Sequence, residues 1–569
     1  FLSRNYFIIF ILSLSGFAFI NLSACGAAPA MLGDSSMFDP DWIIEVEVEL
    51  DSDDWEVLRN QTRDIFDVFC STEPPPNPYT YFEADIAVDG IKLESIGIRK
   101  KGFFGSVEPG RPSFKVSFNE YVRGQRFFGM RRMTLNNSRS DPAKIKQCIG
   151  YWLFDKAGLP SPRCNFAHVT VNGEDLGLYV HLESIKTELL TRYFDDLSGN
   201  LYEGALSDFQ PNWVGTFQKK TNQEYPDRSD LDAMVTACQV PDDQFLDEIE
   251  QLVELDDFYT FWAMEVLIAH WDGYASFNHN NYYIYNDPQT GKFNFILWGI
   301  DGILFNNLGN PAPRSVFADS VLANRLYNLP ESKAVYIERV KSLLETVWDE
   351  QEILGEIDRM EDLITPIADS YQTGQLGYLI DEIRHFVRTY PAMILAEIDS
   401  GPVVWEKELV DPPCWRELGT FSGGFTTTWG TLGVDDPFVA GSGTFNALFE
   451  GEQVIVSQIG AVAGWDPEAS PEAPKALIQV IAVVPGQPND TLAAVMIIVN
   501  DPSLIKPNAT IPLDLGRALG VYITVDPEKP GSEVYSLLMD GDLVLDEAEI
   551  AEGARITGTI EAKIFDSGW

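Results

Sequence analysis

Strict alternation of apolar and acidic residues marks residues 44–50, which read Ile-Glu-Val-Glu-Val-Glu-Leu. Successive side chains of a strand point to opposite faces of a sheet, so this period of two predicts a half-buried strand. The proline-rich residues 71–78 then predict a loop. From residue 81 to residue 135 short alternating runs recur with glycines between them. They predict an antiparallel sheet.

Apolar spacing changes to that of a helix over residues 141–157. Asp141 is the expected N-cap, Pro142 lies in the first turn, and Gly158 is the expected stop. A hairpin should follow, because Asn172-Gly173 between two alternating runs is a strong signal for a tight β-turn. This half of the chain is therefore predicted to be a sheet crossed by one helix.

Helical spacing dominates after residue 184, in the stretches 242–271, 333–347, 350–368 and 376–398. A further hairpin is predicted between the first two of these stretches, within residues 280–301. A β-rich half followed by a helical half predicts a two-lobed α+β unit, and ligands often bind between such parts. Beyond residues 401–402 short strands recur, which predicts a β-sandwich or barrel at about 415–569.

The N-terminus has the features of an export signal. Residues 1–24 combine Arg4 with a run rich in Phe, Ile and Leu, and Leu22-Ser23-Ala24-Cys25 resembles a bacterial lipobox. Lipidation of Cys25 would anchor the mature chain in a membrane. We therefore expect a signal peptide at 1–24, a tether at 25–40, a first domain at 41–398 with its core at about 80–395, and a β-rich domain at 405–569.

Composition narrows the choice of partners. Acidic residues number 86 against 40 basic ones, a net charge of −46, which argues against a nucleic-acid-binding protein. Apart from Cys25 there are five cysteines, an odd number, so at least one should be unpaired, and their pairing stays open. The five histidines are too scattered for a zinc site of the usual spacing.

Three polar segments contain candidate ligand-binding residues. The first two, residues 99–118 and 178–183, contain basic and acidic candidates. Lys115 should project from the polar face of a strand, where it could hold phosphates if Arg99 or Arg111 were within reach. A solvated strand face is the alternative. Glu183 ends a strand that leads into the helical half. It would either lie beside a nucleotide base or cap the next helix.

A third polar segment contains an Asp, an Asn and an Asp in a suggestive order. Asp272 lies at a predicted helix end, Asn281 enters the next strand, and Asp301 leaves the paired strand. Protein kinases place a catalytic Asp, a metal-binding Asn and a metal-binding Asp in this order, because hard oxygen ligands suit Mg²⁺. Turns are rich in Asn and Asp in any protein, which is the alternative explanation.

Taken together, these segments resemble the spore-coat protein H (CotH) kinase family, in matching order across roughly 300 residues. The resemblance is carried by GIRKKG (97–102), residues 111–142, residues 158–183, HWDGY (270–274), NNYYIY (280–285) and FNFILWGID (293–301). It implies an atypical protein-kinase-like fold and phosphorylation of protein Ser or Thr hydroxyls with ATP and Mg²⁺ or Mn²⁺. It also implies that Asp272 is catalytic, that Asn281 and Asp301 bind the metal, and that Lys115, Arg99 and Glu183 bind the nucleotide.

Two positions depart from the family pattern. The family usually has Trp-Asp-x-Asp where this chain has Trp298-Gly299-Ile300-Asp301, and Gln147 occupies a helix position where relatives often carry Glu. Two hypotheses therefore stay open. The protein is either an envelope phosphotransferase acting on a protein substrate, or an inactive surface lipoprotein used for adhesion or for assembly of an extracellular matrix.

Overall fold

A computed structural model describes residues 36–566, except 104–107, 306–312, 368–369, 468, 470–473, 487–489, 515 and 527–533. The predicted signal peptide, Cys25 and most of the predicted tether lie outside the described residues. The last part of that tether is packed against the protein, because Met37 and Phe38 in a short 3₁₀ turn are buried. The Phe38 ring stacks on His181, with ring centroids 4.5 Å apart.

Seven strands form a closed barrel in the order β1-β2-β3-β4-β5-β7-β6. The elements of this part are β1 Ile43–Leu50, α1 Ser52–Asn60, β2 Phe82–Val88, β3 Ile91–Lys101, β4 Ser113–Ser117, β5 Arg132–Asn136, α2 Lys146–Lys156, β6 Cys164–Val171 and β7 Glu174–Leu182. In β1 the apolar residues Ile44, Val46 and Val48 are buried in the barrel, and the intervening glutamates are exposed. The predicted sheet is therefore present, but a parallel pairing of β1 with β6 closes it.

The helix predicted from residue 141 begins five residues later than expected. α2 starts at Lys146, and its first turn is still capped by Asp141, whose Oδ2 accepts a hydrogen bond of 2.8 Å from the Lys146 amide. Residue Lys144 has a φ of +63°, which is incompatible with a continuous helix from 141. The hairpin at Asn172-Gly173 is present, and both residues have positive φ.

The next part of the chain is mainly helical around a four-stranded sheet of order β11-β10-β8-β9. Its elements are α3 Thr187–Tyr193, β8 Leu201–Gly204, β9 Gln218–Lys219, α4 Ser229–Ala237, α5 Asp242–Ile249, α6 Leu255–Leu267, β10 Tyr282–Asp287, β11 Lys292–Leu297, α7 Val321–Asn328, α8 Pro330–Thr346, α9 Glu350–Ile364 and α10 Ser370–Asp399. The helix predicted over 242–271 is two helices. It breaks where the Glu254 amide donates to the Phe293 carbonyl, with a distance of 3.0 Å.

The C-terminal part is one eleven-stranded sheet. Its elements are β12 Arg416–Thr428, α11 Pro437–Ala440, β13 Ser442–Gly443, β14 Asn446–Phe449, β15 Glu452–Gln453, β16 Gln458–Trp465, β17 Ala476–Val484, β18 Thr491–Val499, β19 Ala509–Pro512, β20 Ala518–Val525, β21 Val534–Glu547 and β22 Arg555–Asp566. A bridge between Trp429 and Ala463 brings β16 back to the end of β12, so the sheet curls around its own apolar core. The predictions of a mixed α+β chain and a sheet-rich C-terminal part are confirmed.

Two disulfides cross-link the described chain. Cys148 pairs with Cys164 across 16 residues, and Cys70 pairs with Cys414 across 344 residues. Cys238 is buried and unpaired, as the odd number of cysteines predicted. None of the helices in the described part of the chain combines the length and the apolarity that crossing a membrane requires.

Candidate functional site

A cavity of about 460 Å³ lies where the barrel meets the mainly helical part. Its lining includes five of the six described residues to which the family resemblance assigns a role: Arg99, Lys115, Asp272, Asn281 and Asp301. These residues are up to 202 positions apart, from 99 to 301, and come from strands and loops of both parts. The fold therefore brings the basic and the acidic candidates to one place.

The basic side of the cavity is built on two neighbouring barrel strands. Arg99 on β3 is the direct cross-strand partner of Lys115 on β4, so both side chains project from the same face. Lys101 is two residues further along β3 and therefore shares this face. The second basic group that the sequence left open is thus Arg99. Arg111 lies elsewhere and donates to the Leu178 carbonyl.

Burial and neighbouring charges shift pKa values on this side of the cavity. Burial lowers the pKa of Lys115 well below its ordinary value, and the neighbouring Lys220 and Arg99 add to this effect while Glu203 opposes it. Burial raises the pKa of Glu203, but the Lys220 and Lys115 ammonium groups outweigh it and bring that pKa to about 2. Glu203 is therefore an anion that partly neutralises the cluster.

The acidic side is organised around Asp272, in the loop after α6. The Asp272 carboxylate accepts hydrogen bonds from Asn278 at 2.7 Å and from Asn281 at 2.6 Å. The side-chain nitrogen of Asn281 also donates a hydrogen bond of 3.1 Å to the backbone carbonyl of Asp272. Burial raises the pKa of Asp272, and His270 together with hydrogen bonds from Asn278 and Asn280 opposes that rise. A buried carboxylate with a raised pKa is suited to accept a proton.

Asn281 and Asp301 flank the β10–β11 hairpin. The Trp298 amide donates to the Asn281 carbonyl at 3.1 Å, which extends the hairpin ladder by one step and sets Gly299 against Asn281. Gly299 has a φ of +61°, and a Cβ added to it would lie 2.1 Å from Asn281 Oδ1. The family's Asp at this position would not fit here without displacement of Asn281.

Asp301 completes this side of the cavity. Burial raises the pKa of the Asp301 carboxyl, and the charges of Lys101, His270 and Lys146 counteract that rise. Lys101, on the basic side, is near enough for its charge to act on Asp301. Burial brings the pKa of Lys101 down to about 8, and the Asp301 carboxylate opposes that decrease.

The donors that could hold a metal are few. In the described ranges no three His, Cys, Asp or Glu side chains are grouped as metal ligands. Asn281 and Asp301 offer one amide and one carboxylate oxygen. Mg²⁺ commonly binds one or two protein oxygens and takes its remaining ligands from phosphates and water, so this pair fits a nucleotide-borne Mg²⁺.

Glu265 positions the loop that carries Asp272, and sequence reasoning missed it. Its buried carboxylate accepts hydrogen bonds of 3.0 Å from the Tyr274 and Ala275 amides and lies 3.2 Å from His270 Nδ1. The signal was a single acid in the apolar run Phe-Trp-Ala-Met-Glu-Val-Leu of α6. A buried charge in such a run requires partners of this kind.

Glu183 is not among the described residues that line the cavity. Its buried carboxylate pairs with Arg163 at 2.8 Å and with Arg192 at 2.6 Å. These two arginines satisfy the carboxylate and fix it between the end of the barrel and α3. The structure therefore places Glu183 in a buried ion pair, and its position beside a nucleotide base stays a prediction.

Gln147 belongs to a buried network beneath the cavity. Its side-chain oxygen accepts from Asn136 at 3.1 Å, and its amide nitrogen donates to Ser138 Oγ at 2.9 Å. A glutamate at this position could accept but could not donate. The substitution therefore matches the polar groups around it.

Part of the chain is similar in sequence to known proteins. The family model described as CotH kinase protein matches residues 98–390. Inner spore coat protein H of Bacillus subtilis is 27% identical over 202 residues, which cover 34% of this chain and 54% of that protein. Invasin CotH3 of Rhizopus delemar is 23% identical over 262 residues, covering 41% and 43% respectively.

The chain thus spans about half the length of the curated relatives that it matches. A crystal structure of the Helicobacter pylori proinflammatory kinase CtkA aligns over 52% of this chain and 94% of that chain. Its TM-score is 0.27 at 10% identity, a similarity too low to bear on function. The family model covers 293 of 569 residues, more than half of the chain. The chain therefore belongs to the CotH kinase protein family.

Proposed function

We propose that this protein is an atypical kinase that transfers a phosphoryl group from ATP to Ser or Thr hydroxyls of a protein substrate. The observation that carries the proposal is that Lys115, Arg99, Asp272, Asn281 and Asp301 all line the same cavity. On this proposal the barrel and the mainly helical part act as the two lobes of a kinase-like domain, with the nucleotide bound between them.

Charge in the cavity favours an anionic ligand. Among its described lining residues five are basic and three are acidic, although the whole chain carries a net charge of −46. The basic ones are Arg63, Arg99, Lys101, Lys115 and Lys220. Cations held in a cleft concentrate anions there, which suits the phosphates of ATP. Lys115 and Arg99 would contact these phosphates.

Asn281 and Asp301 would hold Mg²⁺ or Mn²⁺. The side-chain nitrogen of Asn281 is used by Asp272, while its Oδ1 faces the space that Gly299 leaves open. When bound, the metal would supply positive charge against the transferring phosphoryl group. The positive charge of Lys101 favours the ionised form of Asp301 and opposes the rise in its pKa that burial causes.

Asp272 would accept the proton of the acceptor hydroxyl. Asn278 and Asn281 fix the orientation of its carboxylate, and Glu265 fixes the loop around it. Because its carboxylate is oriented before the acceptor arrives, little reorganisation is needed during transfer. The hydroxyl oxygen would then form a bond to the γ-phosphorus of ATP, whose phosphates Lys115 and Arg99 position, while the bond to the bridging oxygen breaks and ADP leaves.

We further propose that the protein acts outside the cytoplasm, anchored in the envelope membrane through lipidated Cys25. The Cys70–Cys414 and Cys148–Cys164 disulfides support this location, because disulfides persist mainly in oxidising compartments. Its substrate or matrix partner would be a protein of the same compartment.

A second candidate function is that of a catalytically inactive surface lipoprotein for adhesion or extracellular assembly. Gly299 favours it, because the family's usual Asp is absent from the acidic side of the cavity. On this proposal the cavity could still bind an anion, but no phosphoryl transfer would follow.

A transfer assay separates the two candidates. The protein is incubated with labelled ATP and Mg²⁺ or Mn²⁺, and label is followed in the protein itself and in casein. We expect transfer that falls at least about 100-fold in Asp272→Asn and Asp301→Asn. The exposed Asp540→Asn serves as the matched control and should keep wild-type activity.

Two outcomes would contradict the kinase proposal. Absence of label with both metals, or equal label in wild type and Asp272→Asn, would remove the kinase proposal and leave the inactive surface protein. Circular dichroism of each variant establishes that a lost activity is not a lost fold.

A further inference from the structure

One wall of the cavity lies outside the residues that the family model matches. Arg63, Phe69, Pro75, Asn77 and Tyr79 line the cavity, whereas the match begins at residue 98. We call residues 63–79 the strap. Its only regular structure is a 3₁₀ turn, Ile65–Asp67, followed by the proline-rich loop. Fixing such a segment costs about 1–2 kcal/mol of backbone entropy per residue, so it needs external support.

The C-terminal sheet supplies an apolar support. Phe69 and Val68 of the strap share one buried cluster with Met539 of β21 and Phe565 of β22. The Phe66 and Phe565 rings are 5.0 Å apart, and the Phe69 ring lies 4.6 Å from Trp415. The strap therefore faces the cavity on one side and the C-terminal sheet on the other.

A covalent bond reinforces this contact. Cys70 of the strap is bonded to Cys414, just before β12, and the Cys70 amide donates to the Pro413 carbonyl at 2.9 Å. The other end of the strap is held to the barrel, since the Tyr79 hydroxyl donates to the Gly102 carbonyl at 3.0 Å. The strap is therefore fixed between the two parts of the chain.

Arg63 presents a charge from the strap to the cavity. Its Nη1 donates to the Pro76 carbonyl at 2.6 Å, and its guanidinium lies over Phe103 at 5.3 Å from the ring centroid. Its buried Nε has no hydrogen-bond partner in the described part of the protein. A guanidinium that lines the same cavity as Arg99 and Lys115 is suited to bind a phosphate oxygen.

We propose that the strap is a phosphate-binding wall of the nucleotide cavity, with Arg63 as its contact to the ligand, and that the C-terminal sheet holds it in place. This inference rests on the proposed nucleotide site and goes beyond it. It assigns a function to two regions that the family model does not cover. The affinity for the nucleotide should depend on this support, because binding to a strap that is already ordered loses less conformational entropy.

Two sets of variants test the proposal in the full chain. Arg63→Met removes the ligand contact, and Arg123→Met on an exposed turn is its control. Cys70→Ser with Cys414→Ser releases the strap, and Cys148→Ser with Cys164→Ser removes the other disulfide as control. Dissociation constants for ATP with Mg²⁺ and for inorganic triphosphate are measured by calorimetry.

We expect Arg63→Met and the released strap each to weaken the binding of both probes about tenfold or more. The first variant loses one charge-assisted contact, and the second loses the support of that contact. Both controls should stay within about twofold of wild type. Trypsin should also cleave after Arg63 faster in the released strap.

Wild-type affinity in Arg63→Met would overturn the assigned contact. Wild-type affinity in the released strap would overturn the role of the C-terminal sheet. If these variants lose affinity while wild type transfers no phosphoryl group, the strap proposal stands and the kinase proposal fails. If the wild-type chain binds neither probe, both proposals fail.

Discussion

Single residues decide how the acidic side of the cavity is shaped. Gly299 adopts a φ of +61° directly beside Asn281, whose side chain orients Asp272. A glycine at this point permits both the left-handed backbone and the close approach of the Asn281 amide. The glycine that replaces the family's usual Asp at position 299 therefore allows the side chain of Asn281 to lie where it does.

Substitution of Gly299 tests this coupling. Gly299→Ala should lower the free energy of unfolding by about 2–3 kcal/mol, from backbone strain plus the contact with Asn281. Gly291→Ala is the matched control, because Gly291 has a φ of +73° and open space around its Cβ. It should cost only about 1 kcal/mol. Equal losses in urea unfolding would contradict a specific contact at 299.

At the scale of elements, the barrel depends on one parallel pair. β1 pairs with β6 in parallel, and His168 of β6 joins three strands. Its Nδ1 lies 2.8 Å from Glu45 of β1, and its Nε2 lies 2.9 Å from Asp175 of β7. Burial lowers the pKa of His168, but the two carboxylates outweigh it and raise the pKa above 6.5.

Barrel stability should therefore depend on pH through His168. A pKa that is higher in the folded state means that this stabilisation is complete below about pH 6.5 and is lost as pH rises through the folded pKa. His168→Gln should cost about 0.5–1 kcal/mol at pH 5.5 and little above pH 8.5, since the pair is partly exposed. Urea unfolding at both pH values measures this.

The exposed His385→Gln provides the control for that measurement. Its effect on the free energy of unfolding should be the same at both pH values. A His168→Gln cost that does not change with pH would show that the imidazole contributes by packing alone.

For the whole molecule, long-range links join parts with different roles. The Cys70–Cys414 disulfide spans 344 residues and connects the cavity wall to the C-terminal sheet. The net charge of −46 is distributed so that the cavity keeps an excess of basic residues. An acidic surface around a basic cleft would select anions that fit inside the cleft over those that bind to the surface.

Thiol titration tests the cross-links of the whole chain. A chain that begins at residue 36 should show one reactive thiol after unfolding without reductant, that of Cys238. The folded chain should show none, because Cys238 is buried and burial raises its pKa. Ellman's reagent measures both states. More than one thiol in the unfolded chain would mean that a disulfide is absent.

The local pattern of the sequence determined much of the fold. Alternation at residues 44–50, the Asn172-Gly173 turn and helical spacing after residue 330 predicted elements that the structure contains. The order Asp272, Asn281, Asp301 likewise singled out residues that share the cavity. These signals are local, because periodicity and turn chemistry depend on neighbours along the chain.

Other features of the protein arise from contacts between distant parts of the chain. Closure of the barrel by β1 and β6, the ion pairs of Glu183 and the position of Arg63 depend on contacts between residues far apart in sequence. The same holds for the strap, whose support comes from β21 and β22. A residue's type and spacing limit what it can bind, but which groups surround it is set by how the chain folds back on itself.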